Sequence, residues 1–137
     1  MNAEVVMVKG LTFVGKADSG HWVNMDAPAE LGGTGAATRP LELFLVGLGG
    51  CTGMDVVSIL TKKKMPPREF RVEIRSERAP DHPKVFTHIH IAYHVAGANV
   101  TPEAVGEAVR LSQEKYCSAY AILTKSCSVT SEYTVTP

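Results

Sequence analysis

A chain of 137 residues, 45% hydrophobic and 20% charged, has the size and balance of one globular domain, which excludes a disordered chain and a disulfide-stapled miniature. Lys plus Arg and Asp plus Glu both number 14, so the formal net charge is zero and the basic excess of a nucleic-acid binder is missing. The opening MNAEVVMVKG holds no apolar leader, and the apolar stretch over residues 41–60 is interrupted by Glu42, Asp55 and glycines, short of a clean membrane span. A cytoplasmic protein is expected, with no nucleic-acid or membrane partner. In that reducing compartment three cysteines are reactive or simply buried, not a structural framework.

In chain order, Val5–Val8 and Leu11–Val14 read as strands around a Lys9-Gly10 turn, and His21–Met25 as a third strand after a turn at Asp18-Ser19-Gly20. Residues 27–39, rich in Gly, Ala and Thr, read as one loop. Thr38-Arg39-Pro40 opens a long helix, because proline suits a first turn. The run Leu41–Leu60 is apolar on nearly every face, which predicts burial all round. One subunit of this size can hardly surround such a helix, so a second subunit is expected to help cover it. Gly47, Gly49, Gly50 and Gly53 would allow close approach to that helix, or break it.

Lys62-Lys63-Lys64 and Pro66-Pro67 end the helix. Phe70, Val72 and Ile74 then alternate with Arg71, Glu73 and Arg75, the pattern of a half-exposed strand. After a turn at residues 80–83, a return strand carries Val85, Thr87, Ile89, Ile91, Tyr93 and Val95 inward. Thr101 caps a helix with Val105, Ala108, Val109 and Ser112 on one face, and Ala119–Leu123 forms a further short helix. A last strand turns Cys127, Val129, Tyr133 and Val135 inward. The order βββ-α-ββ-α-α-β predicts an α+β fold with antiparallel pairing, one domain over residues 1–137.

Cys51 sits in the run Leu48-Gly49-Gly50-Cys51-Thr52-Gly53. If the glycines break the helix, Cys51 lies near a new helix start, where amides and dipole favour a thiolate. The blander reading is a small buried hydrophobe, which composition alone favours. Cys117 carries the same pair of readings. Two thiols together allow sulfenic acid formation at one and disulfide closure by the other. Cys127 faces the core of the last strand. His88, His90 and His94 share one strand face, where a metal is conceivable but a solvated face is the simpler account. Gly32-Gly33-Thr34-Gly35 lacks the Lys-Ser/Thr of a phosphate loop, and no local signature supports a cysteine protease. No metal or cofactor is expected.

The run TRPLELFLVGLGGCTGMDVVSIL resembles the central helix of the OsmC/Ohr family, with Pro40, Glu42 and Cys51 matching its proline, carboxylate and cysteine. The run EKYCSAYAIL resembles the family's second cysteine motif and gives Cys117. The resemblance covers essentially the whole chain and is closer to a less characterised OsmC-like subgroup. It implies an intertwined homodimer with the long helices buried between sheets. It also implies reduction of organic hydroperoxides in oxidative stress defence, by an external dithiol or lipoyl-type reductant. Cys51 would be the peroxidatic nucleophile and Cys117 the resolving thiol. In the best-understood peroxidases of that family the carboxylate directly follows the proline, where this chain has Leu41, and Glu42 comes one residue later. Their activating arginine comes from the N-terminal strands, whereas residues 1–38 here hold no arginine and Arg39 is the available substitute. Arg39 and Glu42 are therefore expected to position or activate the site by a helix break, by a fold-back, or across the dimer. Phe44, Leu48 and Met54 are candidates for an apolar lining. The alternative is a non-catalytic protein of the same fold that binds an apolar small molecule at the dimer interface or senses redox state.

Overall fold

Gly10 adopts a left-handed φ of 57°, and this turns β1 (Ala3–Lys9) back onto β2 (Thr12–Ala17) as the Lys9-Gly10 signal requires. β3 (Val23–Met25) pairs with the other edge of β2, so the first sheet is antiparallel in the order β1-β2-β3. The computed structural model describes residues 1–137, which form two compact units, Met1–Val46 and Gly47–Pro137.

In the first unit the Gly-rich loop is built around a buried carboxylate. Asp26 accepts the amide N–H groups of Ala27 at 2.7 Å and Ala36 at 3.3 Å, the Thr12 hydroxyl at 3.2 Å, and the Thr34 hydroxyl. These donors hold its pKa at about 2, with the Thr34 hydrogen bond the largest cause. Gly33 is required there, because a Cβ at that position would stand 1.9 Å from the Ala27 carbonyl oxygen.

The long helix α1 runs unbroken from Glu42 to Lys62, so the four glycines do not interrupt it. Its entry is a tight turn in which the Glu42 and Leu43 amides donate to the Arg39 and Pro40 carbonyls. Pro40 thus precedes the helix proper by two residues.

The second unit holds a sheet in the order β4-β5-β6, with β4 (Glu69–Arg78) antiparallel to the central β5 (Phe86–Ala96). β6 (Ser128–Thr136) runs parallel to β5, which corrects the expectation of antiparallel pairing throughout. Its cause is the crossover through α2 (Pro102–Leu111), a π-turn (Ser112–Tyr116) and α3 (Ser118–Leu123), the kind of connection a parallel neighbour requires. Of the residues expected on the inward face of β5, Ile89, Ile91, Tyr93 and Val95 are buried, whereas Val85 precedes the strand and is exposed, and Thr87 is exposed as well. Thr101 caps α2 by accepting the Ala104 amide at 3.2 Å, and Val105, Ala108, Val109 and Ser112 are buried on its one face.

α1 reaches β4 through Gly49 and Gly53, one turn apart. A Cβ on either would stand 3.2 Å from the Ile74 or Phe70 side chain. Within one subunit α1 is buried on one side only. Leu48, Thr52, Gly53, Val56 and Leu60 form one buried stripe, while Phe44 and Met54 remain 56% and 76% exposed. A single sheet can cover only one side of a helix. By length and by a mean hydropathy of 1.8, α1 would also serve as a membrane span. Its packing on β4 and the polar groups on its buried side instead mark the core helix of a folded unit.

Candidate active site

Cys51 lies at the middle of α1, and Cys117 lies between the π-turn and α3. The structure brings them together: both sulfurs and a carboxylate oxygen of Asp55 lie within 4.8 Å of one another. Asp55 follows Cys51 by one helical turn, so both side chains project from the same face of α1. Both cysteines are free thiols. Cys51 is half-buried, whereas Cys117 is only 2% exposed. Two sulfurs and a carboxylate would also suit a thiophilic divalent ion.

Local backbone geometry aims Cys117. In the π-turn the Cys117 amide donates to the Ser112 carbonyl at 2.8 Å, five residues back instead of four. Cys117 then becomes extended and caps α3, its sulfur accepting the Tyr120 amide at 3.3 Å. Burial pushes the Cys117 thiol up to about 12, with the neighbouring Cys51 and the Asp55 charge adding to the shift. The Tyr120 amide acts in the opposite sense and is outweighed. Cys117 is therefore a protonated thiol at neutral pH.

A chain of buried hydrogen bonds runs beneath the pair. Asp55 accepts the Ser112 hydroxyl at 3.0 Å; Ser112 and Thr52 are 2.9 Å apart, Thr52 and Tyr93 2.8 Å. Gln113 donates its amide N–H to Tyr93 at 3.4 Å and to Ser131 at 2.9 Å. A carboxylate only accepts and an amide nitrogen only donates, so both ends of the chain fix its direction. Tyr93 donates to Thr52, Thr52 to Ser112, and Ser112 to Asp55. Every hydroxyl dipole points its positive end toward the carboxylate.

The other expected residues are placed as follows. Arg39 donates its backbone amide to the Glu42 carboxylate at 3.2 Å, a reciprocal cap at the start of α1. Because α1 is unbroken, Glu42 lies nine residues from Cys51 on one helix, about 13 Å along its axis. The helix break that would have shortened this path, and given Cys51 the amides of a new helix start, does not occur. Of the three lining candidates, Leu48 is fully buried in the core, while Phe44 and Met54 are exposed. Cys127 is half-buried and its thiol donates to the Leu123 carbonyl at 3.5 Å. His88 and His90 pair with the hydroxyls of Ser128 and Thr130 on the parallel neighbour at 2.7 and 2.8 Å, an ordinary cross-strand role.

Sequence reasoning missed Asp55, Thr52, Ser112 and Tyr93 as parts of the site. The available signal was Asp55 itself, a carboxylate one turn from a cysteine inside an apolar run.

Residues 33–132 match the family model described as OsmC-like protein. Protein YhfA of Escherichia coli K12 is 42% identical over 136 residues, 98% of each chain. A crystal structure of a hypothetical protein from Aquifex aeolicus VF5 is 31% identical, with a TM-score of 0.81 over 98% of this chain and 96% of that one. The organic hydroperoxide resistance protein OhrB of Bacillus subtilis shares the fold at 20% identity, with a TM-score of 0.64 over 98% of each chain. With most of its length matched by the family model and two relatives above 30% identity along nearly all of it, the chain belongs to the OsmC-like protein family.

Proposed function

We propose that this protein is a thiol-dependent peroxidase that reduces organic hydroperoxides. The observation that carries the reading is the cysteine pair, one thiol half-buried and the other buried and protonated, with sulfurs within 4.8 Å. Membership of the OsmC-like family supports it, as does the shared fold of OhrB, an organic hydroperoxide resistance protein. Cys51, the accessible member, attacks the distal peroxide oxygen. The O–O bond breaks, an alcohol leaves with a proton, and Cys51 becomes a sulfenic acid. Cys117 then attacks the Cys51 sulfur, water leaves, and a disulfide forms. A dithiol or lipoyl-type reductant of the cytoplasm restores both thiols by exchange.

The working form we propose is a homodimer. The exposed Phe44 and Met54 on α1, together with Val5, Met7 and Val8 of β1, offer apolar surface that a second copy would cover. Arg39 and Glu42 are assigned to the site of the partner subunit, since the unbroken α1 closes the route along their own helix. The test is consumption of cumene hydroperoxide with a dithiol reductant. Turnover is expected in the wild type and lost in Cys51→Ser, while Cys117→Ser keeps one sulfenic acid-forming turnover. Full activity in Cys51→Ser sinks the reading.

A second reading is favoured by one observation: an apolar hollow of about 430 Å³ in the first unit, lined by Val5, Leu11, Phe13, Met25 and Pro40 among others. Such a hollow suits an apolar small molecule held without chemistry. Saturable binding of a fluorescent fatty acid, with no peroxide turnover under any dithiol, is the outcome that selects it.

A further inference from the structure

Disulfide closure has a proton problem. Cys117 must attack as a thiolate, yet it is 2% exposed, and burial holds its thiol up to about 12. Bulk water reaches it poorly, and at neutral pH very little of it is ionised. Closure within a useful time needs a base inside the site.

Only one carboxylate stands with the two sulfurs. Asp55 has an oxygen within 4.8 Å of both, and Ser112 holds it by a hydrogen bond of 3.0 Å. The donor chain from Gln113 through Tyr93 and Thr52 fixes the position of that Ser112 hydroxyl. The Tyr120 amide, 3.3 Å from the Cys117 sulfur, stabilises the negative charge that develops there. Base, nucleophile and charge-stabilising donor are thus assembled around one sulfur.

We infer that Asp55 is the proton carrier of the resolving step, taking the Cys117 proton as that sulfur attacks Cys51 and releasing it to the leaving group. The inference rests on the disulfide-forming reading of the pair given above. In the reaction the Cys117 S–H bond breaks and its proton passes to the Asp55 carboxylate. The Cys117–Cys51 S–S bond forms as the S–O bond of the sulfenic acid breaks. The departing hydroxide takes the proton from Asp55 and leaves as water. Cys51 sulfur is reduced, Cys117 sulfur is oxidised, and the carboxylate is regenerated. Asp55 stands one turn from Cys51 on α1, with a carboxylate oxygen within 4.8 Å of both sulfurs of the exchange.

The resolving step can be watched without peroxide. In a Cys127→Ser background, 5,5′-dithiobis(2-nitrobenzoate) reacts first with Cys51 and releases one coloured thiolate. Attack by Cys117 on the resulting mixed disulfide then releases a second. In Asp55→Asn the first release is expected to keep its rate, and the second to slow by about 10²-fold, the lower end of general-base effects. If Asp55→Asn loses its helical circular dichroism, Asp55→Ser is measured with the same expectation. An unchanged second release overturns the inference, as does a parallel loss of both, which would make Asp55 a packing residue. A wild type that gives only one release overturns it as well, since Cys117 then does not resolve. Two normal releases in the wild type, slowed selectively in the variant but with no hydroperoxide consumption, would sink the peroxidase reading and leave the proton carrier standing.

Discussion

The Thr52 hydroxyl stands 2.8 Å from that of Tyr93 and 2.9 Å from that of Ser112, and all three residues are fully buried. The fixed donor direction makes two similar deletions unequal. Thr52→Val keeps the side-chain shape but leaves the Tyr93 O–H without an acceptor, a loss of about 1–3 kcal/mol. Tyr93→Phe removes the donor to Thr52 and one of the two acceptors of the Gln113 amide; Thr52 still donates to Ser112, and Gln113 keeps Ser131. Urea unfolding should therefore show Thr52→Val clearly less stable than Tyr93→Phe. The reverse order would mean that the hydroxyls run the other way.

The thiols should differ sharply toward an alkylating reagent. At pH 8, iodoacetamide is expected to label the half-buried Cys51 well before the buried, protonated Cys117, with Cys127, whose thiol burial also pushes up, lagging behind Cys51. Peptide mass spectrometry over a time course reads the order. Cys117 labelled first contradicts the burial and protonation described for it.

Acid should loosen the first unit through Asp26. Its folded pKa of about 2 lies below the ordinary 3.8, so the unfolded chain binds this proton more readily. The stabilisation is present above pH 4 and disappears as pH falls through 2. Trp22, the single tryptophan, lies in the same unit and reports on it by fluorescence. Asp26→Asn should be less stable at neutral pH and lack this acid limb; an identical limb in the variant would assign it to other carboxylates.

Glycines that look alike in sequence should respond differently to alanine. At Gly33 the added Cβ meets the Ala27 backbone at 1.9 Å, and the loop cannot yield without losing the Asp26 bonds. Gly33→Ala should cost several kcal/mol, roughly the range of severe substitutions. At Gly49 the nearest atom is the flexible end of Ile74 at 3.2 Å, and alanine gains about 1 kcal/mol of helix propensity. Gly49→Ala should be near neutral in thermal unfolding.

Much of this fold could be read from local rules. The Lys9-Gly10 turn, the alternation of Phe70, Val72 and Ile74, and the Thr101 cap each depend on neighbours in sequence, and each stands where those rules put it. The course of β6 depended on where a crossover returns, which no local pattern encodes, so its parallel pairing escaped. The two cysteines could be nominated by resemblance, but their approach is a tertiary fact. Asp55 read as a blemish in an apolar run because its value comes from Cys117 and Ser112, which are distant in the chain.

The π-turn places the chemistry at the mercy of a count. An ordinary helix advances about 100° per residue, so closing the helix over 112–116 to the α form would swing Cys117 off its present heading. A one-codon deletion among residues 113–116 would spare every cysteine, the carboxylate and the apolar pattern of α2. It would still part the two sulfurs. Within this architecture, a relative could thus lose or acquire the cysteine pair through helix phasing, with no change in either motif.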